Sequence, residues 1–470
     1  MFDEFGKDNL LNSFSSDDLF ERIENVKKYI DKGEVFFYLD YIEETLQLCI
    51  DEDESEEGIN IINKLTGIID YNSELWQIKG IFHNNNFEFE EALESLNKAL
   101  ALNPGDVETL LNKSVAEDNL GFYNDAVESL NQAISIEPHN EEAFYSLGVL
   151  HQKKEKFSDA IKYLERAVSI DRSYSEAWYE LGYCYECLEN YNSAIKAYDK
   201  FLEFEPYSSA AYYNRGIILI RMGSFEKAVS SFELSLAIKE DFSSAWFNLG
   251  VAYSSLKNYH NALKALKKAA DLDPGDEIIW FTLGQAYEDI ELIEQAIDCY
   301  DKAVKLDSDY YEALLARGYC YKLTGKSHLA LKDFNLAISL TENSIVAWEA
   351  KADIEYKIGE LKDSIISYKK ILKLEPDNFS IWYKLAETNI EAGRWLSGIE
   401  AYKECIKLKP ESADAYYGSA KVNFMLSQTK EAIENLKSAF ALDPKIKNDF
   451  AKDYPEVESS KLFVKLIEEK

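Results

Sequence analysis

Large apolar and very small residues return along this chain at fixed steps of 34 positions. Laid in frames of 34 from Ser73, the sequence gives eleven consecutive units that reach Ile446 without an insertion or a deletion. Position 4 of the frame is bulky, with Trp76, Leu110, Phe144, Trp178, Tyr212, Trp246, Trp280, Leu314, Trp348, Trp382 and Tyr416. Position 8 is always Gly, Ala or Ser, as in Gly80, Gly148, Gly182 and Gly318, and position 20 is nearly always Ala. Two points per unit thus forbid bulk, as two helices in close contact require, and position 24, always Leu, Tyr or Phe, supplies the side chain that fills the space beside them. Positions 4, 7, 8 and 11 share one face of a 3.6-period helix, and 17, 20, 24 and 27 share a face of a second.

Each unit is therefore expected to be a helical hairpin. Gly121, Gly223, Gly325, Gly359 and Gly393 occupy position 15, where the chain must turn. Seven of the eight prolines, at 104, 138, 206, 274, 376, 410 and 444, fall at position 32, after the second helix has to end. The set Trp178, Leu181, Gly182, Tyr185, Ala194, Tyr198 and Pro206 resembles the tetratricopeptide repeat, and the resemblance extends over about four-fifths of the chain. It implies an all-α, right-handed superhelical α-solenoid of antiparallel helix pairs, with the first helix of each pair on the concave wall. Residues 39–72 fit one further, degenerate unit, and residues 73–446 hold the eleven regular ones. Residues 1–38 form an acidic segment with a capping helix built on Leu19, Phe20, Ile23, Val26 and Ile30. At the other end, 447–470 supply a closing helix on Leu462, Phe463, Val464, Leu466 and Ile467, since a terminal repeat has no neighbour to bury its apolar face.

Charge changes the picture next. With 85 acidic against 51 basic residues the net charge is −34, and the first 72 residues alone carry 19 acids and 6 bases. Such a surface repels phosphate backbones and anionic membranes, so direct nucleic-acid binding and membrane insertion are not expected. No apolar run approaches the ~20 residues of a membrane span and Met1–Phe2–Asp3–Glu4 starts no signal sequence, which points to the cytoplasm. Six cysteines in 470 residues fit a reducing compartment.

Signals for chemistry are weak. Gly325–Lys326–Ser327 imitates the end of a phosphate-binding loop, but Cys320 stands where its first glycine belongs, and Gly325 is a turn glycine. Cys184 and Cys187 lack further ligands for zinc, and the five histidines show no metal-binding spacing. His83 and His151 stand at position 11, where a tyrosine usually packs. The acid run Asp51 to Glu57 lacks the spacing and central glycine of a calcium loop and is expected to be a solvated turn. No cofactor and no metal are expected, and the segments outside the repeats are too short for a catalytic domain.

Function is expected on the first helices, where positions 2, 5, 9 and 12 point away from the packing stripe. Position 5 reads Tyr145, Tyr179, Tyr213, Phe247 and Phe281 in five successive units, and position 9 reads Val149, Tyr183, Ile217 and Val251 in four of them. These nine residues form either an apolar binding strip or simple packing between repeats, and both readings stand. Glu74, Glu108, Glu142, Glu176 and Glu312 at position 2 add negative charge. A partner of the strip would be a protein segment with apolar anchors and Lys or Arg flanks. Chaperone-binding relatives clamp a C-terminal carboxylate with Lys and Asn, and that constellation is absent. After about residue 344 the face turns polar, with Asp353, Glu387 and Lys421 at position 9. The expected role is a non-catalytic adaptor or assembly platform. The alternative is an architectural subunit that docks by its ends or convex face, for instance on the basic proteins of a ribonucleoprotein.

Overall fold

The computed structural model describes residues 16–52 and 54–454. Among the described residues there are 26 α-helices, one short 3-10 turn and no strand, so the fold is an all-α solenoid of helix pairs. The chain divides into two compact bodies between Lys239 and Glu240. Numbering the 34-residue frames from Ser73 as repeats 1 to 11, the first helix starts at position 1 and the second at position 17 in every case, as in Ser175–Cys187 and Tyr191–Phe204 of repeat 4. The pair Leu39–Asp51 and Ser55–Ile68 keeps the same lengths and offset.

Local chemistry sets these boundaries. Position 34 caps the following first helix, so Asn72 accepts from the Glu74 and Leu75 amides, Asn140 from Ala143 and Asp276 from Ile278 and Ile279. At position 15 the backbone is left-handed in all eleven repeats. Five carry the expected glycine, with φ from 69° to 83°, whereas Phe87, Glu155, Glu189, Lys257, Glu291 and Ser427 hold φ near 60° with a full side chain. The hairpin geometry thus imposes this conformation even where the residue disfavours it.

Packing inside a hairpin follows the small positions. A Cβ on Gly182 would lie 2.8 Å from the Tyr198 ring, and one on Gly250 or Gly284 2.5 Å from Leu266 or Tyr300. A methyl there forces the partner at position 24 to move, a cost of about 1–3 kcal/mol. Ala at position 20 is fully buried throughout. Tryptophan at position 4 has a second task, since the indole nitrogens of Trp76, Trp178, Trp246, Trp280, Trp348 and Trp382 each donate to the carbonyl six residues earlier, at 2.7 to 3.0 Å. One residue type therefore fills the hairpin and also ties it to the preceding loop.

Two arginines at position 7 link neighbouring repeats. Arg317 grips Asp333 through two nitrogens at 2.7 and 2.8 Å and Asp301 of the previous repeat at 2.7 Å. Arg215 reaches Asp199 and the Ser231 hydroxyl, each at 2.7 Å. At the amino end, Ser16–Asp31 packs Leu19, Ile23 and Val26 against Ile42, Leu46, Ile61 and Leu65, and Lys27 meets Glu57 at 3.0 Å. At the carboxyl end, Ile446–Asp453 lays Ile446 and Phe450 on Leu436 and Phe440. The expected helix around Leu462 to Ile467 lies outside the described residues. Within the first body, first helices of successive repeats touch one another, from Ser73–Asn85 through to Ser175–Cys187, so they form a shared face.

Candidate functional site

The first helices of repeats 3 to 5 place Tyr145, Val149, Tyr179, Tyr183, Tyr213 and Ile217 in the first body, while Phe247, Val251 and Phe281 lie in the second. Only Tyr183 is exposed, at 41%, and the other eight are half-buried. The aromatics at position 5 are engaged from within. Tyr179 sets its edge against Tyr198 and Phe201, Tyr213 tilts against Phe232, and Tyr145 meets Tyr174 edge-on at 5.1 Å. In the second body Phe281 leans on Tyr300 and Tyr310, and Phe247 packs beside Leu266 and Ala269. Asn214 donates to the Tyr179 hydroxyl at 2.9 Å, which fixes that ring. Each position-5 ring therefore serves inter-helix packing and leaves only part of itself to a ligand.

Charge on this face of the first body is largely unmatched. Glu74, Glu108, Glu142 and Glu176 are exposed and none forms an ion pair among the described residues. Two acids that the sequence reading passed over belong here as well. Glu180 at position 6 is half-buried and accepts from Gln152 at 2.6 Å, and burial pushes its carboxyl up with no cation to oppose the shift. Glu186 at position 12 is raised by burial against the pull of Arg221, 3.4 Å away. Their positions were the available signal, since 6 and 12 meet across consecutive first helices, as Gln152 and Glu180 do.

The polar late repeats are arranged differently. Asp353 accepts from Lys384 at 2.9 Å and from the Tyr368 hydroxyl at 3.0 Å, with Lys322 at 3.5 Å, and Lys384 also holds Glu349 at 2.9 Å. Acids there are spent on one another's cations inside the fold.

Groups that could do chemistry are placed for structure. Burial raises the Cys184 thiol to about 12, the reverse of an activated thiolate. Gly325 sits in its turn at φ 74°. His83 pairs with Glu88 at 2.7 Å, and His151 stacks on Tyr163. Among the described residues no group of three or more His, Cys, Asp or Glu is arranged to hold a metal ion, and no helix is long and apolar enough to cross a membrane.

No curated protein matches the chain. Among solved structures, a crystal structure of MamA is 30% identical over 34% of this chain and 94% of its own, with a TM-score of 0.33. YrrB, described as a TPR protein with an unusual peptide-binding site, is 24% identical over 40% and 96%, with a TM-score of 0.37. MamA 41-end from Desulfovibrio magneticus RS-1 is 21% identical over 36% and 96%, with a TM-score of 0.35. Family models described as tetratricopeptide repeat match residues 73–106, 145–209, 197–230, 243–276, 278–310, 311–344, 345–378 and 383–445, and one described as TPR repeat matches 119–155. Together with the 34-residue register of the helices, these matches show that the chain belongs to the tetratricopeptide-repeat family.

Proposed function

We propose that this protein is a non-catalytic interaction platform of the cytoplasm, which takes segments of other proteins on the faces of its first helices. The carrying observation is the exposed Tyr183 on first helices whose position-2 acids, Glu108, Glu142 and Glu176, form no ion pair among the described residues. A partner segment with an aliphatic or aromatic anchor and Lys or Arg flanks complements that surface. Anchors in the first body would rest on the free parts of Tyr145, Val149, Tyr179, Tyr183, Tyr213 and Ile217. Phe247, Val251 and Phe281 are the corresponding surface in the second. Membership of the tetratricopeptide family supports a protein as the partner.

The test uses fluorescence anisotropy with peptides that place Leu or Phe between Lys and Arg, against the same peptides with Asp and Glu flanks. Tighter binding of the basic set is expected, weakening with salt. Tyr183→Ala with Glu142→Lys and Glu176→Lys should abolish it. These positions suit the test better than Tyr179 or Tyr213, whose loss would also empty the hairpin. Equal affinity for both peptide sets, or no effect of the triple variant, would refute this reading.

Docking through the amino end is a second reading, favoured by Phe20, Phe36 and Phe37, which are 66%, 61% and 86% exposed. Loss of a native partner on Phe36→Ser with Phe37→Ser, while Tyr183→Ala retains it, would decide for that version.

A further inference from the structure

The second helices of repeats 3 and 4, Phe157–Ile170 and Tyr191–Phe204, part over the first helix Ser175–Cys187 and leave a cleft of about 670 Å³. Trp178, Leu181, Val168 and Phe204 line it. The size is that of a small-molecule site. In repeats 1 and 7 the corresponding tryptophan is covered by the protein's own lysine at position 26. Lys98 lies 3.8 Å from the centre of Trp76, and Lys302 3.6 Å from that of Trp280. Lys200 is the equivalent in repeat 4, but it turns away to hold both oxygens of Glu203 at 2.7 and 2.8 Å. Glu203 stands at position 29, where repeats 1 and 7 have Ala101 and Lys305, so the diversion is written in the sequence. The Trp178 face is thus left without a covering cation.

Charge decides what fits. Lys200 and Glu203 satisfy each other, and Glu165 accepts from the Tyr185 hydroxyl at 2.6 Å, which with burial holds that phenol up at about 12. Arg172 and Lys196 remain on the lining, and neither side chain has a hydrogen-bond or ion-pair partner among the described residues. With Glu165 and Glu203 set against Arg172, Lys196 and Lys200, the lining carries one net positive charge, in a molecule of net charge −34. At physiological salt the screening length is about 8 Å, so Arg172 and Lys196, and not the distant acids, govern the cleft. We propose that this cleft is a second binding site, separate from the first-helix face, for a small molecule with one planar apolar ring and one acidic group. The ring lies on Trp178 where a lysine lies in repeats 1 and 7, and the acid is held between Arg172 and Lys196.

Isothermal titration of the full chain tests this with 2-naphthoate, the neutral 2-naphthamide and the cationic 2-naphthylmethylamine as probes of one shape. Saturable one-to-one binding of the carboxylate is expected, with both other probes at least about tenfold weaker. Arg172→Glu and Lys196→Glu, both at exposed side chains, should each weaken the carboxylate about tenfold with the melting temperature unchanged, and the remote control Lys305→Glu should not. Absence of binding, a preference for the amine, or unchanged, wild-type affinity in the two charge-reversal variants would overturn the assignment. So would tighter binding of an acetylated Asp-Phe-Glu peptide amide than of 2-naphthoate, because the occupant would then be a protein segment.

Discussion

Repeat 4 and repeat 8 share one hairpin and differ in what they do with charge. In repeat 8 the buried acid Asp333 is answered inside the molecule by Arg317, which also holds Asp301 of repeat 7. In repeat 4 Glu180 is half-buried with only an amide for company, and Lys196, with Arg172 of repeat 3, faces a cleft with no ion-pair partner among the described residues. The apolar scaffold is common to both, since Gly182 against Tyr198 and Gly318 against Phe334 repeat the same close approach. Backbone packing is thus inherited by register, while unsatisfied charge is local and marks the surfaces left for other molecules.

The strongest way to break this contrast is Arg317→Ala. Asp333, whose side chain is 3% exposed, would be left buried without its cation, a loss of about 3–5 kcal/mol in urea unfolding. A cost under about 1 kcal/mol would show that repeat 8 does not depend on its internal pairing. Replacing Arg317 by Leu together with Asp333 by Leu should recover most of that loss, because the pair matters chiefly when half of it remains.

A smaller effect is expected at the turn. Repeat 4 places Glu189 at φ 57° where repeat 8 has Gly325 at φ 74°. Glu189→Gly should therefore stabilise by about 0.5–1 kcal/mol, read as a raised denaturation midpoint. No gain would mean that the left-handed conformation is already compensated locally.

The least effect, and the one that sharpens the comparison most, concerns Glu180. Burial raises its folded carboxyl pKa, so the folded state holds a proton more readily than the unfolded chain. Its ionised form thus opposes folding at pH 7, and that penalty is lost as pH falls from the raised folded value to the ordinary carboxylate value of about 4.3, below which none remains. Glu180→Gln should raise the melting temperature at pH 7 and leave it unchanged at pH 4. A lower melting temperature at pH 7 would reveal an internal partner for this acid.

Much of this architecture could be read before any coordinates. Helix phase, hairpin length and the solenoid follow from Gly182, Ala194 and Trp178 and their equivalents, because steric exclusion at fixed positions repeats with the sequence. Position 15 was legible only in part, since its glycines announce a left-handed turn and Glu155 or Lys257 do not. The tyrosines at position 5 could not be divided between packing and binding, because a ring at that phase is half-covered by the residue at position 24 of its own repeat. Arg317 also escaped, although its signal exists in the spacing. Asp301 and Asp333 lie 16 residues to either side of it, just as Asp199 and Ser231 flank Arg215. The cleft over Trp178 needed comparison of lysine directions, which depend on Glu203 and not on any motif.

The indole bonds at position 4 have a practical corollary. Six chromophores between residues 76 and 382 sit at the joints of repeats 1, 4, 6, 7, 9 and 10, each clasping the length of chain that enters its own hairpin. Parting any one joint exposes one nitrogen to water and shifts one emission maximum, so stepwise fraying from either terminus becomes visible as a staircase of colour changes. Replacing five of the six, together with Trp395, by phenylalanine would turn the remaining one into an optical gauge for a single seam.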